Sequence, residues 1–335
     1  MEKIIIPGHF FDCRVYGERL YLWTTKGSIL VVNYKQLLES FKKDKKEVKL
    51  SGSHLILFEV ETPTGELPID VEIFNNDLYV AVDSGLYRQP LAGFRNCQPK
   101  KLWDCRLSSL SGGKRKGIAL SAGADGLFLF HTHDDALYEH EKKMEYRIGQ
   151  ISERLTSSAS FCRGGIYGTS LYSPSYYLSL SPRFNIHDSP AFTDKEIFNN
   201  DYINTGLSWS RGDELFLVHG NTIILYTINT QGAKPTFKYE RAIKFEPWKG
   251  ELLSASSGRF GYVFELDHAV VVLDMRNRVT NIHGEAVCVK TYSRSRNYKD
   301  EVHIVMNDYL SILIFDEQDV VEPDERADFR KTSVQ

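Results

Sequence analysis

The sequence predicts an all-β fold made of small repeated sheets, and three observations carry that prediction. Apolar residues come in runs of about 4 to 7, rich in β-branched and aromatic side chains, as half-buried strands require. Gly, Asn and Asp turns separate these runs, and helix-length periodicity is nearly absent. One phrase, a turn followed by a short apolar run, returns seven times along the 335 residues.

The recurring segments are Gly17–Trp23, Asn76–Val82, Asp125–Phe130, Gly164–Thr169, Asp213–Val218, Phe260–Glu265 and Asp300–Val305. After each comes a polar turn and a second apolar run, as at Ser28–Val32, Thr222–Tyr226, Ala269–Leu273 and Tyr309–Phe315. With Leu20, Leu78, Leu127, Ile166, Leu215, Tyr262 and Val302 as anchors, the spacings are 58, 49, 39, 49, 47 and 40, a mean of 47 residues. A period in the forties whose unit is several short strands is the mark of a β-propeller rather than a helical solenoid. The expected fold is therefore a seven-bladed β-propeller. A four-stranded sheet with two apolar faces is not stable alone, but neighbours packed against both faces cover them. The first strand, Glu2–Ile6, has no sheet of its own, and the last blade lacks an outer strand after Ile312–Phe315. The N-terminal strand is expected to complete that last blade.

Residues 1–315 read as a single propeller domain with two insertions. The first, about 34–54, holds the best short helix of the chain, Tyr34–Phe41, followed by Lys42, Lys43, Lys45, Lys46 and Lys49. The second, 184–205, is rich in Asn, Asp, Pro and aromatics and separates the fourth blade from the fifth. Residues 316–335 lose all periodicity and gather Asp316, Glu317, Asp319, Glu322, Asp324, Glu325 and Asp328, which reads as a mobile acidic tail. The pentapeptide Ile73-Phe74-Asn75-Asn76-Asp77 recurs as Ile197-Phe198-Asn199-Asn200-Asp201, out of step with the 47-residue period, and reads as coincidence among turn residues.

Composition limits the function. At 42% hydrophobic and 25% charged the chain is a globular protein, and its apolar runs fall short of the roughly 20 residues of a spanning helix. The 41 basic and 44 acidic residues give a net charge of -3, so nothing attracts nucleic acid or anionic lipid globally. Basic loops at Lys42–Lys49, Lys114–Lys116 and Arg294–Arg296 read as solvated turns, and nucleic acid is not an expected partner. Pro7-Gly8 cuts short the opening apolar run, so no secretory signal is read and a cytoplasmic setting is expected. The five cysteines, Cys13, Cys97, Cys105, Cys162 and Cys288, lack CxxC spacing and read as reduced thiols.

The arrangement resembles the WD40 and Kelch propellers at the level of architecture. Trp103-Asp104 is the one WD40-type dipeptide, and Gly164-Gly165-Ile166-Tyr167 the one good Kelch-type double glycine. No functional residue is carried over from either family. The resemblance implies a rigid body with loops on two faces that serves as a docking platform for other macromolecules.

Two groups of residues are the candidate sites. Equivalent strand-to-strand hairpins of successive blades are expected to bring Asp83, His133, His219, His268 and Asp308 to one polar channel rim, although Asp, Asn and Gly suit such turns in any case. Aromatics and prolines crowd the fourth blade and its insertion, where Tyr172, Tyr176, Tyr177, Phe184 and Phe192 form an expected partner-binding surface. Known catalytic and phosphate motifs are absent; Ser111-Gly112-Gly113-Lys114 lacks the first glycine and the final hydroxyl of a phosphate loop and reads as a flexible loop. The functional reading is a non-catalytic scaffold or adaptor that binds another protein and needs no cofactor. The rival is a propeller hydrolase or lyase using His131, His133 and His219 as acids, bases or metal ligands.

Overall fold

The computed structural model describes residues 1–44, 47–50, 54–62, 64–95, 98–113, 117–132, 146–170, 175–180, 192–197, 207–230, 235–244, 249–293 and 295–316. Their contacts divide the chain into two compact units, Met1–Thr62 with Trp248–Gln335, and Pro63–Pro247. Among the described residues, 28 strands form seven antiparallel sheets of four strands each.

The first unit holds three sheets. One runs in chain order through β2 (Phe10–Tyr16), β3 (Arg19–Thr24), β4 (Ser28–Asn33) and β5 (Ile56–Glu61). A second comprises β22 (Leu252–Gly258), β23 (Gly261–Leu266), β24 (Ala269–Asp274) and β25 (Val279–His283). The last is β26 (Ala286–Thr291), β27 (Glu301–Met306) and β28 (Tyr309–Ile314), and its outer strand is β1 (Glu2–Pro7) from the other end of the chain. Ile4 lies opposite Ile312 and Ile6 opposite Leu310 in that pairing, as the sequence predicted. Strand β1 alternates, so Ile4 and Ile6 point inward and join Leu20, Leu22, Val305 and Ile312 in one core.

Within this unit β2 packs beside β26 and β27, so the first and last blades are neighbours. The expected helix is present as α1 (Tyr34–Asp44), which follows β4 and buries Tyr34 and Leu37 against the same core. Asn33 at its start accepts a bond from the Gln36 backbone N–H, the usual satisfaction of a free helix N-terminus. Among the described residues no helix is long and apolar enough to cross a membrane.

The second unit holds four sheets. They are β6 (Asp70–Phe74) to β9 (Lys100–Trp103) through β7 (Asp77–Val82) and β8 (Gly85–Pro90), and β10 (Ser109–Gly113) to β13 (Tyr146–Ser152) through β11 (Gly117–Ser121) and β12 (Leu127–Thr132). Then come β14 (Ser158–Cys162), β15 (Gly165–Thr169), β16 (Tyr176–Leu180) and β17 (Phe192–Ile197), and finally β18 (Ser208–Arg211), β19 (Glu214–His219), β20 (Thr222–Asn229) and β21 (Thr236–Lys244). First strands adjoin one another: β10 packs on both β6 and β14, and β14 on β18. The second strands are covered on both faces, and every residue of β7 and β11 is buried.

Three expectations change here. Leu127 lies on a third strand, whereas every other anchor is the second residue of a second strand; the equivalent in this sheet is Ile118. Ser111-Gly112-Gly113 is no flexible loop but part of β10. A Cβ on Gly113 would stand 2.7 Å from the Phe161 ring, and one on Gly112 3.3 Å from Glu72 and Phe74, so glycine is what lets neighbouring first strands approach. Phe192–Ile197, inside the second insertion, is the outer strand β17 of the fourth sheet. The first copy of the repeated pentapeptide forms the β6–β7 hairpin, with Asn75 and Asn76 both at positive φ. The second copy, apart from Ile197, and the acidic tail beyond Asp316 lie outside the described residues.

Candidate functional site

Among the described residues a buried polar cluster lies in the first unit, where β2 meets β26 and β27. Residues two apart on a strand share a face. This rule pairs Cys288 with Lys290 on β26 and Glu301 with His303 on β27, and Lys290 stands directly opposite His303. Register irregularities fall beside both cysteines, between Phe10 and Asp12 and between Ala286 and Cys288. Such bulges re-aim neighbouring side chains. The outcome is that Asp12, Cys13 and Cys288 bring a carboxylate oxygen and two sulfurs within 4.8 Å of one another.

The polar groups are mutually satisfied, as burial demands. Asp12 Oδ1 accepts the Cys13 backbone N–H at 2.6 Å and the Cys288 thiol at 3.4 Å, while Lys290 Nζ lies 3.1 Å from Oδ2. His303 is wholly enclosed, and its Nε2 stands 3.0 Å from Glu301 Oε2. Tyr34 donates to the same carboxylate oxygen at 2.5 Å, and the Tyr292 hydroxyl is 3.3 Å from His303 Nδ1. Tyr34, Tyr292 and Tyr298 pack edge-on around this group.

These contacts reset the titration of the cluster. Burial would push the Cys13 thiol up, but bonds to Cys288 and His303 and the imidazolium charge pull it down to about 6. Burial likewise opposes charge on His303, and the bonds to Cys13 and Glu301 lift it to about 9. Its bond to Cys13 and its burial hold Cys288 well above the usual thiol range. Burial and then the Glu301 charge raise Tyr34 well above its ordinary value. Thiol, imidazole and carboxylate in series resemble an activated nucleophile in type. Yet Cys13 and His303 have no exposed surface, so the arrangement suits a bound ion better than a substrate.

The expected rim residues fall on hairpins. Asp83 and His219 in the second unit, and His268 and Asp308 in the first, each sit at the turn between the second and third strands of their own sheet, and all four are exposed. Local partners hold two of them: Arg106 Nε lies 2.9 Å from Asp83, and His268 Nδ1 2.6 Å from Asp267, whose pKa that bond lowers. His133 does not belong with them. The equivalent hairpin of its sheet is the one between β11 and β12, and His133 follows β12; it lies outside the described residues. His131 is near the end of a third strand and His219 ends a second strand, which runs the opposite way, so the two positions lie at opposite ends of their sheets.

The aromatic group also divides. Tyr176 and Tyr177 are 2% and 0% exposed, so they are blade-packing residues rather than contact surface. Tyr176 shares a 2.5 Å bond with Thr156, and Tyr177 donates to the Arg163 carbonyl at 2.6 Å. Neighbouring sheets cover β16 on both faces, Tyr176 in one core with Ala119 and Leu129 and Tyr177 in another with Leu215 and Leu217, which is why two adjacent tyrosines are both enclosed. Phe192 begins β17; Tyr172 and Phe184 lie outside the described residues. The buried cluster had no sequence signal of its own, since Cys13 and Cys288 stand at opposite ends of the chain. Placing β1 in the last blade, and hence β2 beside β26, would have brought them together.

No protein-family model and no curated protein matches the sequence. Solved structures do match along nearly the whole chain. The β-propeller domain of Cps50 (Swd1) from Myceliophteria thermophila is 8% identical with a TM-score of 0.59, covering 92% of this chain and 97% of that one. Virginiamycin B lyase from Staphylococcus aureus is 12% identical with a TM-score of 0.56, covering 92% and 96%. The N-terminal domain of Nup159 is 10% identical with a TM-score of 0.53, covering 92% and 90%. At this identity the likeness establishes the fold: the chain is a seven-bladed β-propeller whose last blade is completed by its N-terminal strand. Such propellers include a named lyase and domains whose names carry no reaction.

Proposed function

We propose that this propeller is a non-catalytic interaction module, an adaptor or scaffold whose loops take another protein as partner. The observation that carries the reading is an ordered, exposed apolar pair on the segment leading into β6. Leu67 is 53% exposed and Ile69 38%. Their backbone is fixed from both sides. The Glu66 carboxylate accepts the Ser84 backbone N–H at 3.1 Å and the Ser84 hydroxyl at 2.5 Å, and the Ile69 N–H donates to the Ala81 carbonyl at 2.8 Å. Covering the exposed half of each side chain is worth about 1 kcal/mol, and a pre-ordered segment loses little entropy on contact. The hairpin that Glu66 grips also carries the exposed Asp83–Arg106 pair, a polar border of the kind that surrounds interface centres.

The aromatic, proline-rich sequence around Phe184 supports the same reading as a second contact. The test is recovery of a partner from the native cell with tagged chain. Near-stoichiometric capture of one protein is expected, weakened at least about tenfold by a combined Leu67→Ser and Ile69→Ser change. A second variant shortens 184–191 and leaves β17 in place. Capture untouched by both changes, or no capture by the folded chain, overturns the proposal.

A further inference from the structure

We infer that Asp12, Cys13, Cys288 and His303 form a closed binding site for a thiophilic divalent ion of the zinc class. In tetrahedral coordination with Zn–S bonds of about 2.3 Å, neighbouring donor atoms stand roughly 3.8 Å apart. The Asp12 carboxylate and the two sulfurs already lie within 4.8 Å of one another, so small side-chain rotations complete three corners. The fourth is the imidazole of His303, which bonds to Cys13 but stands outside that 4.8 Å group and must move inward to ligate. Its Nε2 is held by Glu301 at 3.0 Å, so Nδ1 is the nitrogen that would ligate the metal, exchanging its 3.3 Å contact with the Tyr292 hydroxyl for the ion.

The surroundings fit the same ion. A ligating histidine ordinarily gives its other nitrogen to a carboxylate, which fixes its tautomer and raises its basicity. Glu301 does this for His303 and is itself held by Tyr34 at 2.5 Å. Charge favours a cation as well: two thiolates and the Asp12 and Glu301 carboxylates, offset by the Lys290 ammonium 3.1 Å from Asp12 Oδ2, leave three negative charges, of which a divalent ion neutralises two. Binding displaces two protons, one from the Cys288 thiol and one shared by Cys13 and His303. Sulfur donors select zinc-like ions over calcium or magnesium, which take oxygen. The ligands come from β2 of the first blade and from β26 and β27 of the last, so the ion would tie the two ends of the chain together where β1 already joins them.

The test uses the full chain, stripped by chelator under reductant and titrated with Co(II). Expected are one cobalt per chain, the thiolate-to-cobalt charge-transfer band with intense tetrahedral ligand-field bands, release of two protons, and displacement by Zn(II). Zn(II) should raise the thermal midpoint. Cys288→Ser and Asp12→Asn should abolish the thiolate band or weaken binding about tenfold or more, and Glu301→Gln should weaken it by about tenfold. Cys105→Ser and Cys162→Ser should leave it unchanged. Circular dichroism establishes that each variant is folded. No stoichiometric band with all thiols reduced, a band undiminished in folded Cys288→Ser, or a Cys13–Cys288 disulfide in freshly isolated protein each overturns the site.

Discussion

Tyr34 donates its phenolic proton to Glu301 Oε2 over 2.5 Å, joining the first residue of α1 to the first residue of β27. The helix inserted after β4 is thereby fastened to the last blade. Its hydroxyl supports a carboxylate that is only 6% exposed and is shared with His303. A hydrogen bond to a charged group contributes about 1.5 to 3 kcal/mol. Tyr34→Phe keeps the ring contacts with Tyr298 and His303, so its cost reports the hydroxyl's two contacts, the bond to Glu301 and the 3.2 Å approach to His303 Nε2. Urea unfolding should show a loss of about 2 kcal/mol; a loss under about 0.5 kcal/mol means the bond adds nothing to stability.

Closure of the last blade makes a separate prediction. Ile4 is wholly buried opposite Ile312, in the core that also holds Leu20 and Val305. Ile4→Ala should cost about 3 kcal/mol, within the usual range for truncating a buried isoleucine. Deleting residues 2–6 should do more than destabilise, because it leaves the β28 edge unpaired and invites strand addition from another chain. Size-exclusion chromatography of that deletion should show association absent from the intact protein. A monomer of unchanged stability would mean that β1 is dispensable.

Two hairpin glycines are required by close approach. Gly85 (φ +135°) and Gly126 (φ +98°) precede or open third strands, and a Cβ on either would stand 2.1 Å from the carbonyl oxygen of Trp103 or Ser152 on the next strand. Alanine there must push two strands apart, at an expected cost of about 3 kcal/mol. Gly220 is the control: its φ is +56° but nothing lies within 4 Å, so Gly220→Ala should cost only about 1 kcal/mol. Equal losses at all three positions, measured by thermal or urea unfolding, would rule out the carbonyl contact as the cause.

The same geometry explains what could be read from the chain. Second strands such as Asp77–Val82 are covered on both faces and therefore appear as short apolar runs, which is why the period and the blade number were legible. First strands were not. Ser109–Gly113 and Leu252–Gly258 consist mostly of serine, glycine and alanine because neighbouring strands crowd them, and such composition resembles loop. This misread placed the third anchor on Leu127; with Ile118 in its stead the spacings on either side become 40 and 48 in place of 49 and 39. Outer strands alternate exposed and half-buried residues, as in Ile56–Glu61, and lose contrast for that reason. The buried cluster needed three-dimensional adjacency of the two chain ends, which no local spacing encodes, whereas the hairpin residues were legible as turns. Tyr176 and Tyr177 show the limit of reading aromatics as surface: the sheets on either side of their strand enclose one each.

Tyr167 gives the protein a predicted sensitivity to alkali. It is wholly enclosed on β15, and burial pushes its pKa up to about 12 against bonds to Ser175 and Ser208 that would lower it. An unfolded tyrosine ionises near 10. Between those values the unfolded chain binds fewer protons than the folded one, so stability is fully present below about pH 10 and falls as pH rises toward about 12. Two pKa units correspond to about 3 kcal/mol at full ionisation. Tyr167→Phe abolishes this part of the pH dependence, while Ser175 and Ser208 keep their own 2.9 Å bond. Its cost at neutral pH should be about 1 kcal/mol, the net value of the bond from Tyr167 to Ser208. Comparing urea unfolding of the two proteins from pH 8 to pH 11 checks the sign: the stability gap must narrow as the solution becomes more alkaline. A gap that is constant or widens would mean that the hydroxyl is already ionised or exposed in the folded state.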